Sequence, residues 1–224
     1  MESSRGIEAT DEGLRKRRTP LHMPESWIER LPFLEALNED WEPVPRAVLT
    51  MASAFYAVFL VQAARGSALA ASMDLVFVPI HEGGHLLFRF FGEFLYVAGG
   101  TLMQVGVPFL LAIHFVLRRQ VQGAAFCMFF FFEQFLPIAT YMGDARAQQL
   151  PLLTVGDAEY VIHDWEYLFS KFGVLAHYTQ IANVVRALGW LGMVAAVVWM
   201  VYRSLVRGSI PAGTTPRSKE ARGQ

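Results

Sequence analysis

The stretch Met73-Asp74-Leu75-Val76-Phe77-Val78-Pro79-Ile80-His81-Glu82-Gly83-Gly84-His85-Leu86-Leu87-Phe88-Arg89-Phe90-Phe91 is an apolar run of membrane-spanning length with ionisable side chains set inside it. An α-helix needs about 20 residues to cross the hydrocarbon core, and this segment is close to that. Four more apolar blocks of similar length occupy residues 47–64, 94–117, 121–142 and 181–201. With 54% hydrophobic and only 17% charged residues, the composition argues against an ordinary soluble domain. The expected fold is all-α: a polytopic transmembrane helical bundle of about five hydrophobic segments.

Outward from this block the chain divides by polarity. Residues 1–23 are charged and lack hydrophobic period, as in a disordered tail. Between 24 and 42, Trp27, Ile28, Leu31, Leu34 and Leu37 recur at helical spacing among charged neighbours, which predicts an amphipathic helix on the membrane surface, with Trp27 and Trp41 at the interface. Pro43 and Pro45 separate it from a transmembrane domain at 43–207. The first apolar block follows a long polar segment rather than a short basic one, so it reads as a retained helix and not a cleavable signal. A polar connection at 143–180 carries Asp144, Asp157, Glu159, His163, Asp164, Glu166 and His177, and 208–224 is a second disordered tail.

The net charge of -1 hides basic clusters near both ends, Arg15-Lys16-Arg17-Arg18 and Arg203, Arg207, Arg217, Lys219 and Arg222. Both ends therefore read as cytoplasmic, which five simple crossings do not allow. The third block, with Gly99-Gly100-Thr101, Gln104, Gly106 and Pro108, is either a broken, re-entrant element or a glycine-rich helix packed closely on its neighbours. No recognition motif or aromatic interleaving accompanies the basic residues, so lipid and not nucleic acid is the expected partner. Cys127 is the only cysteine, which excludes an intramolecular disulfide and a Cys-based zinc knuckle.

Chemistry concentrates in His81-Glu82-Gly83-Gly84-His85. Histidines four apart lie one turn apart on one helix face and can direct nitrogens at one metal ion, while Glu82 sits about 100° around the helix. Zn2+ so held makes a bound water acidic, and Glu82 is the candidate acid/base. Burying two histidines and a glutamate in an apolar run marks a functional candidate. A third protein ligand has to come from elsewhere, and Asp144 and His163 are the first two candidates, with Glu133 behind them. Asp164, next to His163, is read as a group that orients an imidazole by hydrogen bonding. Asp74, two turns before His81, is either a snorkelling residue or a second-layer partner of the site. Gln104 is expected to make an interhelical hydrogen bond. His114 and His177 are assigned to structure.

This motif, with the glycine-rich stretch Gly99-Gly100-Thr101-Leu102-Met103-Gln104, resembles the site-2-protease-like intramembrane metalloproteases over residues 73–144. The resemblance implies zinc on His81 and His85, Glu82 as acid/base, and an aspartate from a later helix as a further ligand. In that family the aspartate sits in an Asn-Pro-x-Asp-Gly or Leu-Asp-Gly context, whereas here the nearest stretch reads Met142-Gly143-Asp144-Ala145-Arg146. The expected function is a zinc-dependent metallopeptidase of a bacterial-type inner or plasma membrane, cutting a peptide or membrane-protein substrate in or near the bilayer. Two readings compete with it: a metal-binding membrane protein without hydrolysis, such as a metal carrier or inactive relative, and a structural membrane protein.

Overall fold

Pro45 fixes its own φ at -57° in an extended conformation (ψ 139°) and starts α1, Arg46–Ala64, whose first turn is closed by Leu49 N–H donating to the Pro45 carbonyl. The computed structural model describes residues 41–150 and 163–207, and every regular element among them is helical. After α1 come α2 (Ala68–Phe88), a 3₁₀ turn (Arg89–Phe91), α3 (Glu93–Leu117), α4 (Val121–Glu133) and α5 (Phe135–Gly143). Then follow α6 (Asp164–Lys171), a second 3₁₀ turn (Leu175–His177) and α7 (Tyr178–Arg207). The expected tails at 1–23 and 208–224, and the surface helix at 24–42 except for its last two residues, lie outside the described residues.

Among the described residues, four stretches are long and apolar enough to cross a membrane: α1, α3, the joined α4–α5 pair and Leu175–Leu205. The block at 73–91 covers most of α2 and the 3₁₀ turn after it; α2 is not among the four, because Asp74, His81, Glu82 and His85 dilute its apolar run. About five hydrophobic segments therefore resolve into four apolar helices and one apolar helix loaded with polar groups. The α4–α5 stretch is 50% buried and α1 only 11%, which makes α4–α5 the axis of the bundle and α1 a peripheral helix. Apolar side chains such as Met51, Leu110, Leu191 and Val198 point outward, as lipid solvation allows.

The third block is not broken. α3 runs continuously through Gly99, Gly100 and Pro108, and its glycines serve close packing. A Cβ on Gly84 of α2 would collide with the Gly99 backbone, and one on Gly99 would come within 2.7 Å of the Gly84 carbonyl oxygen. Small residues let the two backbones touch, which is how helices without a hydrophobic drive between them gain packing energy. The α2–α3 hairpin turns at Gly92, whose φ of 92° and ψ of 164° are open almost only to glycine.

Elsewhere the core is aromatic. Tyr56 and Phe59 of α1 meet Phe129 of α4 at ring distances of 4.7 and 5.5 Å. α7 packs along α4 and α5, with Gly192 so close to the Phe132 ring that no side chain fits. α4 and α5 part at Gln134, because Pro137 has no N–H to donate to the Glu133 carbonyl. Trp41 is buried against α7: its ring meets Trp199 edge-on at 5.3 Å and the Arg203 guanidinium lies 5.0 Å over it.

Candidate metal centre

Helical periodicity places His81 and His85 on the face of α2 that the glycine contact presses against α3. Their Nε2 atoms are 3.1 Å apart. The third member of the cluster comes from α6, where Asp164 Oδ2 stands 3.1 Å from His81 Nε2 and 3.4 Å from His85 Nε2. Among the described residues these three form the one group of His, Cys, Asp or Glu able to hold a metal ion, with ligand atoms all within 4.8 Å of one another.

The outer nitrogens are also engaged. His85 Nδ1 donates to the Tyr96 carbonyl at 2.8 Å, and His81 Nδ1 lies 3.0 Å from Gln104 Oε1. A carbonyl oxygen only accepts, so the proton of neutral His85 sits on Nδ1 and its Nε2 lone pair points inward. The same holds for His81 when Gln104 presents its oxygen, as its amide does while donating to Gln134 at 2.8 Å. Two imidazole lone pairs and a carboxylate then converge on one point with no proton between them. Such an arrangement is stable only around a cation, whether a proton or a metal ion.

Asp164 is held in place by α6. His163 is the N-cap, its Nδ1 accepting from the Glu166 N–H at 3.3 Å, and the Asp164 N–H donates to the Tyr141 hydroxyl at 3.2 Å. The Tyr167 hydroxyl donates to Glu93 at 3.1 Å, pinning the helix to the start of α3. Burial works to raise the Asp164 pKa, but when the cation is a proton on the imidazoles, hydrogen bonds and charge from His81 and His85 hold it below the ordinary carboxylate value.

Asp144 and His163, the sequence-based candidates for the third ligand, stand outside the cluster. The Asp144 oxygens accept the backbone N–H groups of Gln149 and Leu150, both at 2.9 Å, and Oδ2 lies 3.7 Å from His163 Nε2. Burial works against its ionisation, yet the two N–H donors hold its pKa below the ordinary value. Burial likewise pushes His163 down, against the pull of Asp144 and Asp164. Each is engaged in building the turn that leads from α5 and the cap that starts α6. Asp164, given only an orienting part from sequence, stands in the cluster with His81 and His85.

Glu82 is half-buried and makes no hydrogen bond or ion pair with the described residues. Glu133 is buried in the bundle, accepting from Gln134 Nε2 at 2.5 Å and in hydrogen-bonding contact with Asp74. Asp74 is half-buried beside it. Gln104 makes the interhelical bonds expected of it, and His114 and His177 take no part in the cluster. Gln134, fully buried, had no periodic or charge signal to single it out in the sequence. No family model, curated protein or solved structure matches this chain.

Proposed function

We propose that the protein is a zinc-dependent membrane metallopeptidase with His81, His85 and Asp164 as the metal ligands and Glu82 as the acid/base. The carrying observation is the triangle of ligand atoms. Zinc bound tetrahedrally at about 2.0–2.1 Å sets its ligand atoms about 3.3 Å apart. Here the edges are 3.1, 3.1 and 3.4 Å. The space beside them is a cradle: a Cβ on Gly100 would come within 2.5 Å of both Nε2 atoms. Two histidines and one carboxylate are also a donor set that zinc hydrolases use, leaving the fourth position for water or substrate.

Zinc supplies Lewis acidity there, polarising a carbonyl and bringing the pKa of water towards neutrality. The residues do the remainder. His81 and His85 offer their Nε2 lone pairs because their Nδ1 protons are bound elsewhere. Asp164 adds negative charge. Glu82, not engaged in a hydrogen bond among the described residues, takes the proton of the attacking water and returns it to the leaving amine. Its apolar setting on α2 favours a peptide bond in or near the bilayer as substrate, since a membrane-embedded site meets its substrate in the same medium. The motif and its glycine-rich companion resemble the site-2-protease-like family, and Asp164 would be that family's later aspartate in another sequence context.

The test is hydrolysis of single-span peptides in proteoliposomes, read by mass spectrometry, alongside zinc content. Wild type is expected to cut and to hold one zinc; Glu82→Gln is expected to hold zinc and not cut. Undiminished cleavage by Glu82→Gln would overturn the assignment, and zinc-loaded wild-type protein that cuts none of the peptides would favour metal binding without hydrolysis.

A further inference from the structure

His81 is tied through two amides to a carboxylate on another helix. Gln104 of α3 presents Oε1 to His81 Nδ1 at 3.0 Å and donates Nε2 to Gln134 Oε1 at 2.8 Å. Gln134, between α4 and α5, in turn donates Nε2 to Glu133 Oε2 at 2.5 Å. Gln134 is 0% and Glu133 2% exposed, so water offers neither of them an alternative partner.

The chain has a direction, and only one end can set it. A primary amide carries donors at one end and an acceptor at the other, so each glutamine can be turned either way. A carboxyl oxygen that bears no proton only accepts, and Glu133 Oε2 is one, facing the Gln134 NH₂. Glu133 therefore obliges Gln134 to present its NH₂, which turns the Gln134 oxygen towards Gln104, which turns the Gln104 oxygen towards His81. The Asp74 carboxyl beside Glu133 does not upset this: one proton shared between the two carboxyls, whichever of them carries it, leaves Glu133 Oε2 to accept from Gln134. Amides do not release protons readily, so the chain transmits orientation and does not conduct.

We propose that Glu133 is a positioning residue for the metal centre, acting through Gln134 and Gln104 to keep the proton of His81 on Nδ1 and its Nε2 lone pair on the metal side. The inference rests on the metal-site reading above. It gives a use to three buried polar side chains, each of which costs stability unless fully paired. Groups that orient a metal-bound histidine are worth about 10–100-fold in metal affinity.

Glu133→Gln tests it at constant volume. A glutamine there can offer NH₂ to Gln134 and let both amides reverse, so that Gln104 donates to His81 Nδ1 and the proton moves to Nε2. Chelator competition in detergent is expected to show about 10–100-fold weaker zinc binding. Nitrogen NMR of the histidine-labelled, metal-free protein is expected to show His81 passing from the Nδ1–H to the Nε2–H form. Gln134→Leu, which cuts the chain in the middle, should reproduce the affinity loss, and adding Glu133→Gln to Gln104→Leu should cost nothing more. Wild-type affinity and an unchanged tautomer in Glu133→Gln would overturn the proposal, as would a Glu133→Gln effect that persists undiminished in Gln104→Leu. Absence of zinc from wild-type protein would instead refute the metal-site reading, and the tautomer measurement would still decide the chain.

Discussion

Gly100 of α3 faces His81 of α2 so closely that a single added carbon would lie 2.5 Å from His81 Nε2, the atom turned towards Asp164. The same carbon would meet His85 Nε2 at 2.5 Å. Gly100→Ala is therefore expected to fill the metal position while leaving all three ligands in the chain. Zinc content should fall below stoichiometric with the helical circular dichroism unchanged. Retention of one zinc at wild-type affinity would mean that the ligands do not converge beside Gly100.

The neighbouring glycines separate packing from chemistry. Gly84→Ala forces a carbon into the Gly99 backbone and is expected to destabilise the α2–α3 pair by about 1–3 kcal/mol, the cost of overpacking a tight contact. Gly83→Ala, one residue away, adds a carbon that meets nothing within 4 Å and should not lower stability. Thermal unfolding of the two variants in the same detergent checks the contrast.

How much of this was readable from the chain alone varies with how local the signal is. The apolar blocks located the long helices because bilayer thickness sets their length, and His81 and His85 declared a shared face through their spacing. Gly99 and Gly100 gave an ambiguous sign, since the same residues suit a broken helix and a tight crossing; the facing Gly84 decides for the crossing. Asp164 is 83 residues from His81, in a polar connection that offers Asp144, His163 and Asp164 alike. The cap at His163, the Tyr141 hydroxyl and the Tyr167–Glu93 bond together set Asp164 against the histidines, and the last two join residues far apart in sequence. The packing of Trp41 on Trp199 was not legible, because a tryptophan exposed to its surroundings and one covered by a distant helix look the same in sequence.

Asp144 has its own pH signature. Its folded pKa lies below the ordinary value near 3.9, so the stability it adds is complete above that value and is lost as pH falls through the depressed one. Protonation of His163 on the way down would strengthen the contact before Asp144 itself protonates. Asp144→Asn is thus expected to be less stable than wild type from neutral pH down to about pH 4, with the gap closing below it. Urea unfolding of metal-free protein at several pH values measures the gap, and a difference that widens steadily into acid would contradict the assignment.

Glu82 should act on rate alone. Glu82→Gln removes the proton acceptor while keeping its size, and general acid/base groups are commonly worth about 100- to 10,000-fold. The cleavage rate is expected to fall within that range while zinc affinity stays within about threefold of wild type, since Glu82 is not a ligand. Parallel losses of rate and affinity would place Glu82 among the ligands.

The most direct measurement is zinc stoichiometry and affinity for Asp164→Ala set against Asp144→Ala and His163→Ala. One zinc per chain is expected in wild type, in Asp144→Ala and, with modest weakening from the lost α6 cap, in His163→Ala, with none retained by Asp164→Ala. Zinc held at wild-type affinity by Asp164→Ala, or lost from Asp144→Ala alone, would contradict the metal centre described.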